Sequence, residues 1–171
     1  MGLKENLSQK RDAILKRWVH LILETYPADT SGLMGQEKDP FVNPVGCTIA
    51  GEIRALYEGL LQGTEVHRLS DHLDKVIQIR SVQDFSPSRA VLIVPLLKRA
   101  IQEELERSGM EGDRLMEEWF SLDSKIDQLF LLGFDIYTKY RERVYEIRIS
   151  EIKKERDRLL KLWERTNPKT K

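Results

Sequence analysis

The chain predicts an all-α fold, and three observations carry that prediction. Every long apolar pattern has the helical period, no stretch alternates like a strand between hairpin turns, and Asp113 to Trp163 runs without a proline and with one glycine, Gly133. Along that run Leu115, Trp119, Leu122, Ile126, Leu129, Gly133, Ile136, Tyr140, Val144 and Ile147 return at spacings of four and three, one face of a single long helix. At about 1.5 Å per residue it would reach roughly 75 Å, against a radius of gyration of about 15 Å for a compact chain of this size, so part of it must project. Beyond Ile147 the apolar side thins to Ile149, Ile152, Leu159 and Trp163 among alternating charges, the look of a narrow pairing seam.

The other elements follow in order. A first helix is expected from Leu3 or Asn6 to Tyr26, with Leu7, Ile14, Leu15, Trp18, Leu21 and Ile22 as its stripe and Pro27 as its stop. Pro27 to Gly46, with three prolines and three glycines, reads as a long connection with a short helical turn near Ser31 to Met34. Ile49, Ile53, Leu56, Tyr57 and Leu60 mark a second helix ending at Gln62 and Gly63, and Ser70 offers an N-cap to a third carrying Leu73, Val76 and Ile77. Ser86 followed by Pro87 starts a fourth, in which Val91 to Leu97 is apolar on every side and Pro95 should introduce a kink. Five helices are expected, with a helical body over residues 1–147 and an amphipathic, charged extension over 148–171.

At 171 residues the chain fits one core. Its net charge is zero, so no global attraction to nucleic acid or anionic membrane is expected. From Lys139 to Lys171, however, twelve Lys or Arg face six Asp or Glu, giving that stretch +6 and the remainder −6. Cys47 is the only cysteine, which excludes an intrachain disulfide. The first dozen residues lack a signal-like apolar stretch and no run is long enough to span a bilayer, so a cytoplasmic location is expected.

Candidate chemistry is sparse. None of His20, His67 and His72 has a second histidine at the one-turn spacing of a metal motif, so no metal or cofactor is expected. Cys47 reads as a small helix-start residue rather than a reactive thiol. Glu103/Glu104 and Glu117/Glu118 are adjacent on helices, so they diverge and should be solvated, while Glu151/Lys154, Glu155/Arg158 and Asp157/Lys161 sit at ion-pair spacings. No phosphate loop, nucleophile elbow or zinc-protease motif is present, and no enzymatic activity is expected. The densest polar cluster is Arg80, Gln83 and Asp84, at the corner before Ser86. An Arg80–Asp84 ion pair could simply hold that corner, or the three could line a pocket or switch, with Asp135, Tyr137, Arg141 and Tyr145 on the long helix as the nearest complementary groups.

Three separated stretches carry a resemblance: Phe41 to Gly46 (FVNPVG), Ile79 to Ala90 (IRSVQDFSPSRA), and Asp135 to Tyr137 with Arg141 to Arg148 (DIY, RERVYEIR). Together they resemble the RsbRD N-terminal type of sensor domain, from the first helix to about Lys154. The resemblance implies an all-helical, globin-like input module without haem, related to the sensors of stress-signalling complexes, which dimerises and passes a signal down its C-terminal helix. In the family such domains stand before a phosphorylatable output domain; this sequence has none after its helix, and a free-standing protein is the expectation. The expected function is therefore a non-catalytic cytoplasmic regulator acting through protein contacts in bacterial signal transduction or stress response. Its expected partners are a second copy, paired along Ile149, Ile152, Leu159 and Trp163, and a kinase or other regulator. The alternative is a small-ligand or haem-binding globin-like sensor.

Overall fold

The structure is a computed structural model and describes residues 2–27, 43–83, 85–109 and 113–166. The elements among these are α1 (Leu3–Gln9), α2 (Arg11–Leu23), α3 (Pro44–Gln62), a 3₁₀ turn (Val66–Leu69), α4 (Ser70–Val82), α5 (Pro87–Val91), α6 (Ile93–Ser108) and α7 (Asp113–Thr166). No strand occurs among the described residues. The expected turn at Ser31 to Met34 lies outside them, as does Asp84.

Several boundaries differ from the sequence expectation, among them the end of α2, at Leu23 rather than Tyr26, and the start of α4, where Ser70 is the first helical residue and not the cap. The first helix is interrupted at Lys10, whose backbone (φ −93°, ψ 8°) leaves the α region. This lets α1 lie against α3 and α7 while α2 packs on α6. The fourth helix breaks at Leu92 rather than kinking at Pro95. Proline lacks an N–H and can only be placed where no intrahelical bond is needed, so the chain restarts its helix at Ile93 and puts Pro95 in the first turn. The second helix begins earlier than its apolar stripe: the Asn43 side chain accepts from the Gly46 N–H at 2.9 Å and Pro44 takes the first helical position. Its other end closes on Gly63, which adopts φ +79°, a conformation that favours glycine.

The core gathers one face of each helix. Trp18, Ile53, Tyr57, Leu73, Ile77, Ile93 and Ile126 are fully or almost fully buried, and the expected central segment is there, with Val91, Ile93, Val94 and Leu97 enclosed. Two buried aromatic tips are paired: the Trp18 indole donates to the Ile93 carbonyl at 2.7 Å and the Tyr57 hydroxyl to the Leu7 carbonyl at 2.9 Å. Of the adjacent acid pairs expected to be solvated, three members are engaged. Glu103 is gripped by Arg17 at 2.6 and 3.0 Å, Glu104 is buried beside Lys10 and Arg107, and Glu118 accepts from the Leu3 N–H at 2.6 Å. A carboxylate at that last position also faces the positive end of α1.

α7 packs on α4 and α6 through Ile126, Leu129, Ile136 and Tyr137. Polar ties reinforce this: Lys98 on α6 reaches Asp123 and Asp127, both at 2.7 Å, and Tyr140 donates to Asp74 on α4 at 2.7 Å. At 54 residues the helix extends about 80 Å, and past Val144 every residue through Thr166 is exposed. The long helix therefore projects and does not fold back on its body.

Candidate functional site: the α4–α5 corner and the base of α7

Arg80 continues the buried row Leu73, Val76, Ile77 on α4, so helical geometry carries a guanidinium into the core, where it is 0% exposed. Its Nε donates to the Ala90 carbonyl at 3.0 Å, and Nη2 donates to the Arg89 carbonyl at 2.8 Å and the Thr25 hydroxyl at 3.0 Å. Those carbonyls belong to the last turn of α5, the negative end of a short helix, which suits a cation. The guanidinium carbon also lies 4.1 Å from the Phe85 ring centre and 5.0 Å from that of Tyr26, and the two rings meet edge to face at 5.0 Å. Nη1 has no hydrogen-bond partner, and no carboxylate bonds Arg80 among the described residues. Burial pulls the Arg80 pKa down and pushes that of Tyr26 up.

Gln83 is at this corner as expected, accepting from the Tyr26 hydroxyl at 3.1 Å. The bonds of Arg80 do not reach α7, however, and the expected direct network between Arg80 and the long helix is replaced by a relay through Phe85. The Phe85 carbonyl is 3.4 Å from the Tyr137 hydroxyl, a long contact. Phe85 and Pro87 form one wall of a cleft of about 380 Å³, and Phe134, Tyr137, Arg141 and Tyr145 of α7 form the other. Arg141 lies 5.2 Å over the Tyr145 ring and donates to its hydroxyl at 3.2 Å. Three of the four residues singled out on the long helix thus share one cleft; Asp135 does not line it and points to solvent. Sequence reasoning missed Thr25 and Tyr26, whose only signal was their place just before Pro27, and the ring role of Phe85.

Ile149, Ile152, Leu159 and Trp163 are 52–65% exposed. At roughly 100° per residue they share a face of α7 with Met116, Phe120, Leu131, Phe134 and Tyr145, all large and exposed. α7 therefore carries two apolar faces, one packed on its own body and one open, the second interrupted at Asp123 and Asp127, which Lys98 holds.

The three histidines lie at or near the surface. His20 is 3.2 Å from Glu24, His72 is 2.6 Å from Glu52, and His67 is exposed on the 3₁₀ turn. Among the described residues no group of three or more His, Cys, Asp or Glu is placed to hold a metal ion, and no helix is long and apolar enough to cross a membrane.

The described residues thus form a helical body with a polar corner at the root of a projecting helix. Residues 12–152 match the RsbT co-antagonist protein rsbRD N-terminal domain, and the chain belongs to that family. It is a regulatory, sensor-type family of stress response. No curated protein and no solved structure matches the chain.

Proposed function

We propose that this chain is a non-catalytic, cytoplasmic sensor or regulatory domain that works through protein–protein contacts and acts as a homodimer. The observation that carries the proposal is the open apolar face of α7 from Met116 to Trp163. Side chains of this kind are worth roughly 1.5–3 kcal/mol each when fully buried, and a second copy laid along the same face would remove both stripes from water. The body, residues 1–147, is the input part in this reading and 148–171 the output arm. The Arg80–Phe85–Tyr137 relay couples the two, because a change at the corner would move the point where α7 leaves the body.

Sedimentation at micromolar concentration tests this. The expected result is a species of twice 20.0 kDa that becomes a folded monomer in an Ile152→Glu, Leu159→Glu double variant. A monomeric unmodified protein would sink the pairing.

A second reading, a small-ligand sensor, is favoured by one observation, the apolar-walled cleft between Phe85 and Tyr145. Haem fits it less well than a colourless ligand does, because none of the three histidines lines it. Protein purified from haem-sufficient cells that shows a Soret band would reverse that preference.

A further inference from the structure

Opposite the open apolar face, the projecting part of α7 carries a second stripe of different chemistry. Lys154, Arg158, Lys161 and Arg165 recur at i, i+4, i+7 and i+11, so they form a single row, one side chain wide, on the far side of the helix from Ile152 and Trp163. They line a shallow hollow of about 490 Å³ with Asp157 and Leu162. The ion pairs their spacing suggests are not made. Asp157 is held by its neighbour Arg156 at 2.7 Å, and among the described residues none of the four cations has a carboxylate within ion-pair distance. In the body the opposite holds, where Arg17, Lys75 and Lys98 are each paired with an acid.

We infer that this row is a docking face for an acidic helix of a partner protein, one that presents Asp or Glu at the same one-turn spacing. The row is flanked by Asp157 and Glu164 on one side and Glu151 and Glu155 on the other. Such a narrow, acid-bordered ladder fits a single line of carboxylates and repels the broad phosphate field of a nucleic-acid duplex. A membrane fits poorly. A helix lying in a bilayer surface inserts its apolar face and keeps its cations on the polar side, and in the pairing reading that apolar face is already covered by a second copy. The inference rests on the pairing reading above, because only when a second copy covers the apolar face is the basic row the surface left for a partner.

The test is binding of the full chain to an Ala-rich helical peptide carrying four Glu at i, i+4, i+7 and i+11. Two triple variants with the same change of charge are compared: Arg158→Gln, Lys161→Gln, Arg165→Gln on the row, and Lys139→Gln, Arg148→Gln, Lys153→Gln off it. The expected result is salt-sensitive binding weakened about tenfold by the first triple and much less by the second, as for the loss of three exposed ion pairs. Three results would overturn the inference: no binding by the unmodified chain, equal effects of the two triples, or tighter binding to a short DNA duplex or to vesicles of phosphatidylglycerol and phosphatidylcholine. Sedimentation of the same variants separates a failure of docking from a failure of pairing, since both triples should remain dimers.

Discussion

The Arg80 guanidinium carbon lies 4.1 Å from the centre of the Phe85 ring, so a buried cation with no carboxylate partner among the described residues is held by a side chain that also walls the cleft at the root of α7. The face of a benzene ring is negative at its centre and offers a cation something that water would otherwise provide. The backbone carbonyls of Arg89 and Ala90 add to this. Arg80 therefore ties the ends of α2, α4 and α5 to one point.

Arg80→Ala should lower stability by about 3–5 kcal/mol, because it empties a fully enclosed volume and strands two carbonyls and the Thr25 hydroxyl. Arg80→Met fills most of that volume without a charge to desolvate, and should cost clearly less. Urea unfolding of both variants makes the comparison. If Met is as damaging as Ala, the hydrogen bonds matter more than the packing.

Tyr140→Phe removes the hydroxyl that bonds Asp74 at 2.7 Å and should cost about 1 kcal/mol, since both groups retain some access to water. The neighbouring acid raises the pKa of the Tyr140 hydroxyl, so the proton stays on tyrosine over the physiological range. Hydrogen exchange should quicken near the base of α7 while α2 and α6 are unaffected.

These anchors also mark how far the sequence could be read. The long helix and its projection were legible because the apolar spacing persists over many turns and proline is absent. Arg80 was legible as a candidate because it belongs to the densest polar cluster, at the corner before Ser86, but its acceptors were not. Two are backbone carbonyls, and the third, Thr25, comes from a segment distant in sequence. The break at Lys10 has no glycine or proline to announce it and follows from packing on different neighbours. The break at Leu92 was announced by Pro95, but its position was misread, since a proline in a first helical turn requires the interruption to precede it. Asn43-Pro44 was a start signal that the apolar stripe, beginning only at Ile49, concealed.

Replacing Leu131 and Phe134 with Gln should weaken pairing about tenfold in the reading above, while the body stays folded, because both side chains are exposed and lie outside its core. Sedimentation over a range of concentrations gives the shift, and thermal unfolding extrapolated to low concentration should be unaltered. An unchanged dimer would confine the interface to the distal arm.

Glu103 supplies an acid-side prediction. Hydrogen bonds from Arg17, ahead of those from Arg99, bring its carboxyl down to about 2 from an ordinary 4.5. A group whose pKa is depressed on folding stabilises the protein above its unfolded value and loses that contribution as the pH falls toward the folded one. Stability should therefore decline between about pH 4.5 and 2 partly through this site, and Arg17→Met should flatten that part of the curve.

From Tyr145 to Thr166 the exposed part of α7 spans roughly 33 Å, supported within one copy only at its root. A rod held at one end converts angle into distance: a tilt of about 5° at Tyr137 would carry Trp163 sideways by some 3 Å, more than half the pitch of a helix. A rotation of one residue's worth about the rod axis, by contrast, leaves the tip in place and exchanges which face it shows. In the reading proposed above, displacement and presentation are two separate mechanical outputs of the body.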